Sequence, residues 1–314
     1  MREFKKFKQK FNLPLNTGHG LWRENSGFIL KQTKYDGSLS FGEVCVVPGF
    51  CKFDMSDLNE EVEKWCQDGR LHNFEFINSA VSCLESEIWN ENLGDKHEIS
   101  KARIINSLED SISSHQTLKL KIGINETTYE INKTLEFIKK LPASTRIRLD
   151  ANESLSLDQL LLWVEALHQN PVLEFMEQPL PGIPDDALIQ LVKDTGFPIA
   201  LDEAVIHLGG PDKLHQFGWA GLMVVKPTLC KNWNETIDFL RLHPERCIIS
   251  TVFESPFGYE ALLRLCRYSK LVPGIDRSIF EGGSLELISH HSIPLFSPSA
   301  SNEELGDLWL KYPN

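Results

Sequence analysis

Three acidic residues stand at the ends of three successive apolar segments. Asp150 closes RIRLD, Glu177 lies in LEFMEQ and Asp202 lies in PIALDE, at separations of 27 and 25 residues. Carboxylates brought together repel one another unless a cation lies between them. Oxygen ligands without a nearby histidine or cysteine suit a hard ion, and so few protein ligands leave room for water and substrate. The acids therefore predict a Mg²⁺ site.

Three lysines flank these acids along the chain. Lys119 and Lys121 lie two residues apart in LKLKIG and so share one face of a strand, and Lys226 ends GLMVVKP. We expect the two groups to approach the metal from opposite sides. Burial beside another lysine and a metal ion lowers the pKa of a lysine towards neutrality, which makes it a usable general base.

The elements that must position these side chains repeat from about residue 100. Eight short β-like runs, most followed by a stretch that suits an amphipathic helix, lie at 101–108, 118–123, 146–150, 173–178, 198–203, 221–227, 247–253 and 271–276. Eight such repeats predict an α/β fold of the TIM type, a (β/α) barrel whose strand ends face one crevice. An open doubly wound sheet is the alternative, but no G-x-G-x-x-G or Walker loop supports its nucleotide-binding form.

The first hundred residues have a different texture. A turn at YDGS, residues 35–38, predicts a hairpin within 26–50, and helical periodicity covers 57–67 and 77–89. We predict an α+β domain over 1–98, on which the tail 288–314 packs, and a barrel domain over 99–287.

Composition limits the class of protein and its partners. The 314 residues are 41% hydrophobic and carry a formal charge of −12, which disfavours nucleic acid and anionic membranes as partners. The basic start lacks the apolar stretch of a signal peptide, and no run has the roughly 18 apolar residues of a membrane span. Seven cysteines without C-x-x-C spacing indicate reduced thiols. We expect a soluble cytoplasmic protein whose oligomeric state the sequence leaves open.

Each candidate also has a purely structural interpretation. A Lys-x-Lys pair is usually a solvated strand face, and an aspartate after a strand is usually a turn or helix cap. The joint occurrence of charge at five strand ends favours a site. Asn152 is either an Asx turn or an amide beside Asp150, and Glu203 and Glu254 are either helix caps, salt-bridge partners or direct participants.

A set of motifs carries a family resemblance. LKLKIG, RLDAN, FMEQP, ALDE, VVKPTL and STVFESPFG, in this order, resemble the muconate-lactonizing subgroup of the enolase superfamily, and FGEVCVVPGF and LVPGID extend the similarity over residues 38–280. Within the subgroup the chain is most similar to the enzymes that dehydrate 2-succinyl-6-hydroxy-2,4-cyclohexadiene-1-carboxylate to 2-succinylbenzoate for menaquinone synthesis.

The resemblance implies a barrel covered by an α+β capping domain, a small carboxylate substrate and a role for each charged residue. The family's Mg²⁺ ligands correspond to Asp150, Glu177 and Asp202, and its K-x-K motif to Lys119 and Lys121. By this resemblance Lys121 removes the proton beside the substrate carboxylate and returns it to the departing hydroxyl, Lys226 stays cationic, and Lys119 binds substrate.

Departures from the family pattern keep other reactions open. Gln178 stands where a second glutamate is often found, and Glu-Gln-Pro is also frequent in racemases and cycloisomerases. LVPGIDRSIF lacks the D-x-D motif of dipeptide epimerases. The alternatives are an N-acylamino acid racemase, another racemase or cycloisomerase of the subgroup, and a non-catalytic metal-binding homologue. The family's mobile lid loop is expected at residues 14–25.

Overall fold

The structure is a computed structural model, and it describes residues 1–17, 20–70, 74–90, 99–105, 108, 112, 116–277 and 300–312. Its strands are β1 (Arg2–Thr17), β2 (Gly20–Thr33), β3 (Leu39–Cys45), β4 (Arg103–Ile105), β5 (Thr117–Lys121), β6 (Arg146–Asp150), β7 (Leu173–Glu177), β8 (Ile199–Leu201), β9 (Leu222–Val225) and β10 (Cys247–Ile249). Its α-helices are α1 (Met55–Asp68), α2 (Glu75–Glu85), α3 (Thr127–Ile138), α4 (Leu157–Leu167), α5 (Asp186–Thr195), α6 (Glu203–Leu208), α7 (Pro211–Gln216), α8 (Trp233–Leu242), α9 (Pro256–Cys266) and α10 (Asn302–Lys311). Short 3₁₀ helices cover Glu87–Trp89 and Pro227–Leu229.

Strands β4 to β10 form one parallel sheet in which the spatial order of the strands follows the chain. In its register Lys121 pairs with Asp150, Asp150 with Glu177, and Glu177 with Ala200. The carboxyl ends of these strands therefore lie at the same edge, as the spacing of the acids predicts. This parallel sheet is separate from a three-stranded antiparallel sheet in the N-terminal part of the chain.

The eighth β-like run does not extend this sheet as a full strand. Residues 271–276 make a single bridge, between Ser250 and Gly274. Gly274 N–H donates to the carbonyl of Ile249 at 2.8 Å, and Ala102 N–H donates to the carbonyl of Pro273 at 2.9 Å. The run thus contacts both ends of the strand series, but Pro273 has no N–H for a regular ladder. The described residues form seven strands of the predicted eight-stranded barrel, and this sheet is not closed.

The inner face of the sheet continues below the charged residues. Because side chains alternate along a strand, residues two positions before the charged ones share their face. Phe175, Ala200, Val224 and Ile248 form one buried cluster there. Arg148 lies among them, buried, with its guanidinium 4.8 Å from the Phe175 ring. This layer fills the space beneath the site.

Helix α4 shows how the outer layer packs. Leu160, Trp163 and Leu167 are buried and follow the helical period that faces the sheet. Leu161 and Leu162 are 44% and 45% exposed, because they fall on the opposite side of the helix. The apolar run at 160–162 is therefore divided between the buried and the exposed side of α4.

The N-terminal unit contains a three-stranded antiparallel sheet, β1-β2-β3. The predicted hairpin is confirmed between β2 and β3: Lys34 N–H donates to the carbonyl of Ser38 at 2.8 Å, and Asp36 accepts from the Ser38 N–H at 2.9 Å. Gly37 has φ of 84° in this turn, where a side chain would be strained. Helices α1 and α2, at the predicted positions, pack their apolar residues against β2 and β3.

A long strand at the N-terminus was not expected from the sequence. In β1 the buried Phe7 and Phe11 alternate with lysines and other polar residues, which is the period of a strand with one buried face. Of the expected lid loop, residues 14–17 lie in β1 and 20–25 lie in β2, whereas 18 and 19 lie outside the described residues. The described part of this segment is a hairpin rather than an irregular loop.

The C-terminal helix α10 packs between the two units. The Trp309 ring lies 6.0 Å from the Phe41 ring of β3 and 5.7 Å from the Phe257 ring of α9. Lys31 of β2 lies over the same indole at 4.8 Å. Residues 98, 287 and 288 lie outside the described residues, so the domain boundaries stay predictions.

The seven cysteines are all free thiols, and five of them are buried. The prediction of reduced cysteines agrees with this. Across the part of the chain that the structure describes, no helix is both long and apolar enough to cross a membrane. The cytoplasmic location stays a prediction.

Candidate active site

Lys119 joins two of the three acids. It lies on β5, and its Nζ is 3.0 Å from Asp150 Oδ2 at the end of β6 and 2.7 Å from Glu177 Oε1 at the end of β7. Strand register alone brings these side chains together, since each lies on the inner face at the same edge. The ammonium therefore bridges two carboxylates that would otherwise repel each other.

Lys226 pairs with the third acid. Its Nζ lies 2.5 Å from Asp202 Oδ2, across the ends of β8 and β9. Asp202 is 3% exposed, and its second oxygen, Oδ1, has no hydrogen-bond partner among the described residues. A buried carboxylate oxygen without a partner is costly, and it is an open position for a cation.

Lys121 belongs to a chain of polar contacts at the mouth of the sheet. Its Nζ donates to Asn152 Oδ1 at 3.0 Å, and Asn152 Nδ2 donates to Glu203 Oε1 at 2.9 Å. The Asn152 N–H also donates to Asp150 Oδ1 at 3.2 Å. The side-chain amide of Asn152 thus contacts Lys121 and Glu203, whereas its main-chain N–H contacts Asp150 in the pattern of an Asx turn.

Burial and mutual repulsion raise the pKa values of the acids. Burial raises the pKa of Glu177 to about 7, with the Asp150 and Asp202 carboxylates adding to the rise and Lys119 opposing it. Burial also raises the pKa of Asp202 to about 6, against the opposing charge of Lys226. The pKa of Glu203 is raised mainly by burial. The site holds more negative charge than its lysines compensate.

The pKa values of Lys119 and Lys226 shift in the direction opposite to the one expected from the sequence. Burial by itself lowers the pKa of Lys119, but the Asp150, Glu177 and Asp202 carboxylates outweigh it and raise that pKa above its ordinary value. The pKa of Lys226 is raised in the same way, chiefly by Asp202 and Glu203. Both ammonium groups are therefore stable as cations next to these acids.

The donor set has the chemistry of a site for a hard divalent cation. Asp150 and Glu177 contact Lys119, Asp202 contacts Lys226, and Asp202 Oδ1 is buried without a partner in the part of the chain that the structure describes. All-oxygen ligands suit Mg²⁺. Among the described residues, no three histidine, cysteine, aspartate or glutamate side chains converge as a preformed cluster. Asp150, Glu177 and Asp202 could hold the ion once their side chains turn towards one another.

Glu43 of β3 lies at the junction of the two units and is not among the residues predicted from the sequence. Its carboxylate accepts from the Ser255 N–H at 2.8 Å and the Gly258 N–H at 3.1 Å, at the start of α9. The negative charge satisfies donors that a helix N-terminus leaves unpaired. A charged residue inside the apolar run LSFGEVC was the signal that could have found it.

Glu254 is a neighbouring buried acid with its own hydroxyl partners. It accepts from Thr228 Oγ1 at 2.8 Å, Thr251 Oγ1 at 2.5 Å and the Val252 N–H at 3.1 Å. The salt bridge to a lysine that the sequence left open does not occur in the described residues. Glu254 instead joins the segment after β9, which carries Lys226 and Thr228, to the segment after β10, which carries Thr251 and Val252.

The titration of Glu43 should be visible in the stability of the protein. Burial and the Glu254 carboxylate raise the pKa of Glu43 from 4.5 to about 7. The folded protein therefore holds this proton more tightly than the unfolded chain, so the stabilisation is full below about pH 4.5 and is lost as the pH rises through 7. We expect the unfolding free energy of wild type minus that of Glu43→Gln to fall by roughly 2–3 kcal/mol between pH 5 and 8.

Urea unfolding of both proteins at several pH values measures this difference. Glu63→Gln, on the exposed face of α1, is the matched control and should show a pH-independent difference. A difference for Glu43→Gln that stays flat, or rises with pH, would contradict the raised pKa.

Comparisons with known proteins agree with this fold. The family model described as "Enolase C-terminal domain-like" matches residues 103–247. The chain is 25% identical to the o-succinylbenzoate synthase of Thermosynechococcus vestitus over 282 residues, which cover 82% of this chain and 86% of that protein. It is 26% identical to an L-amino acid-D/L-Glu epimerase of Sulfurimonas denitrificans, over 51% of this chain and 47% of that protein.

A solved structure extends the likeness to the whole fold. The o-succinylbenzoate synthase from Thermosynechococcus elongatus BP-1, complexed with Mg in its active site, has a TM-score of 0.73 and 22% identity, and the alignment covers 99% of each chain. These relatives support an enzyme of the lyase or isomerase type. The resemblance noted in the sequence is confirmed: residues 103–247 match the enolase C-terminal domain-like model, and the chain shares the fold of that synthase structure.

Proposed function

We propose that this chain is a Mg²⁺-dependent o-succinylbenzoate synthase, which dehydrates 2-succinyl-6-hydroxy-2,4-cyclohexadiene-1-carboxylate to 2-succinylbenzoate in menaquinone biosynthesis. The observation that carries the proposal is the gathering of charge at one edge of the sheet: Lys119 bridges Asp150 and Glu177, and Lys226 pairs with Asp202. The similarity to o-succinylbenzoate synthase over most of both chains supports the choice of reaction.

In this proposal Asp150, Glu177 and Asp202 hold Mg²⁺. Among the described residues Asp202 Oδ1 is buried without a hydrogen-bond partner, and burial and neighbouring carboxylates raise the pKa values of Glu177 and Asp202, so a bound cation would stabilise both carboxylates. When bound, the ion supplies charge that stabilises the negative charge developing on the substrate carboxylate.

The three lysines have different roles in this proposal. Lys121, in its neutral form, removes the proton from the carbon beside the substrate carboxylate. The electron pair of that C–H bond enters the ring as the C–O bond to the hydroxyl breaks, and Lys121 returns the proton to this oxygen so that water leaves. Lys226 stays cationic and stabilises the developing charge, and Lys119 binds the carboxylate end of the substrate.

Aromatisation of the substrate is the direct test. Purified protein with Mg²⁺ should convert the cyclohexadiene to 2-succinylbenzoate, followed by ultraviolet absorbance and by identifying the product chromatographically. A chelator should stop the conversion, and added Mg²⁺ should restore it. Absence of turnover with saturating Mg²⁺ would remove this function.

A racemase acting on N-acylamino acids is the second candidate. Lysines on both sides of the acids would allow proton removal and return on opposite faces, and the similarity to an epimerase favours keeping it. Racemisation with incorporation of solvent deuterium would identify it, and Lys226→Ala should then affect the two stereoisomers differently. A non-catalytic homologue would show Mg²⁺-stabilised folding without α-proton exchange on any carboxylate.

A further inference from the structure

We infer that Gln178 is the positioning residue of the metal site, because its side chain takes over the capping of α6 and so leaves the Asp202 carboxylate available to the ion. This inference rests on one part of the proposed function, the Mg²⁺ site. Gln178 lies next to the proposed ligands Glu177 and Asp202, and in this proposal it contacts neither the substrate nor the ion.

Gln178 uses both ends of its side-chain amide. Oε1 accepts from the Asp202 N–H at 2.9 Å and from the Ala204 N–H at 3.3 Å. Nε2 donates to the carbonyl of Leu180 at 2.9 Å and to that of Gly182 at 3.0 Å. The residue is 1% exposed, so its orientation is set by these partners. If the amide were reversed, Nε2 would face the two N–H groups and Oε1 would face the two carbonyl oxygens.

Asp202 is the residue that would ordinarily do this capping. It occupies the N-cap position of α6, where an aspartate side chain usually accepts from the N–H groups of the first turn. In this structure it makes no such bond, and its carboxylate turns to Lys226 at 2.5 Å. The Ala204 N–H at the second helical position bonds to Gln178 instead. The cap and the site therefore use different side chains.

The main chain around Gln178 also joins the three strands that carry the acids. Gln178 N–H donates to the carbonyl of Ala200 at 2.8 Å, and its own carbonyl accepts from the Glu153 N–H at 2.8 Å. The carbonyl of Glu177 accepts from the Ala151 N–H at 3.1 Å. Gln178 has φ of 35°, an unfavourable value for a residue with a side chain, which persists only where the surroundings fix it.

Loss of the acceptor has a specific structural consequence. Without Oε1, the Asp202 and Ala204 N–H groups lose their acceptor, and the Asp202 carboxylate at the N-cap position is an acceptor for the Ala204 N–H. The Asp202 carboxylate is then drawn back to its own helix, away from Lys226 and from the other two acids. Gln178→Met has nearly the same shape and removes all four side-chain hydrogen bonds, whereas Gln178→Glu keeps an oxygen for the two N–H groups, loses the donors and adds a buried acidic group.

The experiment measures Mg²⁺ binding by calorimetry in wild type and in the two variants. We expect Gln178→Met to bind Mg²⁺ about 10- to 100-fold more weakly, as is usual when a residue that orients a metal ligand is lost, and Gln178→Glu to fall between it and wild type. Gln190→Met, the same change on the exposed face of α5, should bind as wild type does. Hydrogen exchange should show loss of protection at the Asp202 and Ala204 amides in the methionine variant and its retention in the glutamate variant.

Failure of the inference is distinguishable from failure of the proposed site. A wild-type protein that does not bind Mg²⁺ overturns both. A folded Gln178→Met that binds within twofold of wild type overturns the inference alone. Should the methionine variant not fold, Gln178→Glu decides: partial retention of affinity with protected Asp202 and Ala204 amides supports the inference, and unchanged affinity with those amides exposed overturns it.

Discussion

Lys121→Ala is expected to lower kcat for the dehydration by about 10³-fold or more, with a much smaller change in KM. Positioned acid–base groups commonly contribute about 10²- to 10⁴-fold, and Lys121 is proposed to act twice, as base towards carbon and as acid towards the departing hydroxyl. Its Nζ contacts Asn152 at the mouth of the sheet, whereas Lys119 and Lys226 pair with the acids at the edge. The variant should therefore keep its fold and its Mg²⁺ affinity.

Single-turnover assays separate this chemical step from substrate binding. Lys133→Ala is the matched control, since Lys133 lies on the outer helix α3 and pairs with Glu136 at the surface. It should retain wild-type kcat. A Lys121→Ala protein that turns over within tenfold of wild type would show that another group moves the proton.

Glu177→Gln is expected to abolish Mg²⁺ binding and to lower kcat/KM by about 10³-fold or more. A bound cation is worth several kcal/mol of charge stabilisation in the transition state, and about 1.4 kcal/mol corresponds to tenfold in rate. Glu177 is buried, and its carboxylate contacts Lys119 at 2.7 Å. The amide removes the charge while keeping the shape of the side chain.

Thermal unfolding with and without Mg²⁺ gives a readout that does not depend on turnover. At a Mg²⁺ concentration about 100 times its Kd, a protein that binds the ion only when folded gains about 2.7 kcal/mol. Wild type and the surface control Glu165→Gln on α4 should show this gain, and Glu177→Gln should not. An equal gain in the variant would mean that Glu177 does not hold the ion.

The repulsion between the acids of the site also explains why many hydrogen bonds surround it. In the absence of the ion, burial and mutual repulsion raise the pKa values of Glu177 and Asp202. Hydrogen bonds between neighbouring segments then keep the strand ends that carry these acids together, although their negative charges repel one another. Gln178 supplies these contacts at the end of β7, and Glu43 and Glu254 supply them between β3, β9 and the start of α9.

The order and type of the elements could be predicted from the sequence because they depend on local patterns. Apolar runs of strand length fix β5 to β10, and the turn residues at 35–38 fix the hairpin. The alternation of side chains along a strand also placed Lys119 and Lys121 on one face. Parallel strands of similar length then bring the charged ends to one edge, so the composition of the candidate site followed from spacing alone.

Apolar composition alone did not decide whether a run forms a strand or which of its residues are buried. The run at 271–276 has strand-like composition, but a ladder requires N–H donors in register, and Pro273 cannot supply one. Leu161 and Leu162 are as apolar as Leu160, yet only the rotation of α4 against the sheet determines which of them is buried. The alternation in β1 was present in the sequence but was obscured by its lysines.

By itself the sequence determined which chemical groups this protein brings to one edge of a parallel sheet: three carboxylates, three lysines and the strands that carry them. Only the tertiary structure decided their partners, with Lys119 between Asp150 and Glu177, Lys226 against Asp202, and Gln178 as the cap that Asp202 does not provide. The physical reason is range. Strand alternation acts over two residues, whereas ion pairing, pKa shifts and helix capping depend on distances of about 3 Å between groups far apart in the chain.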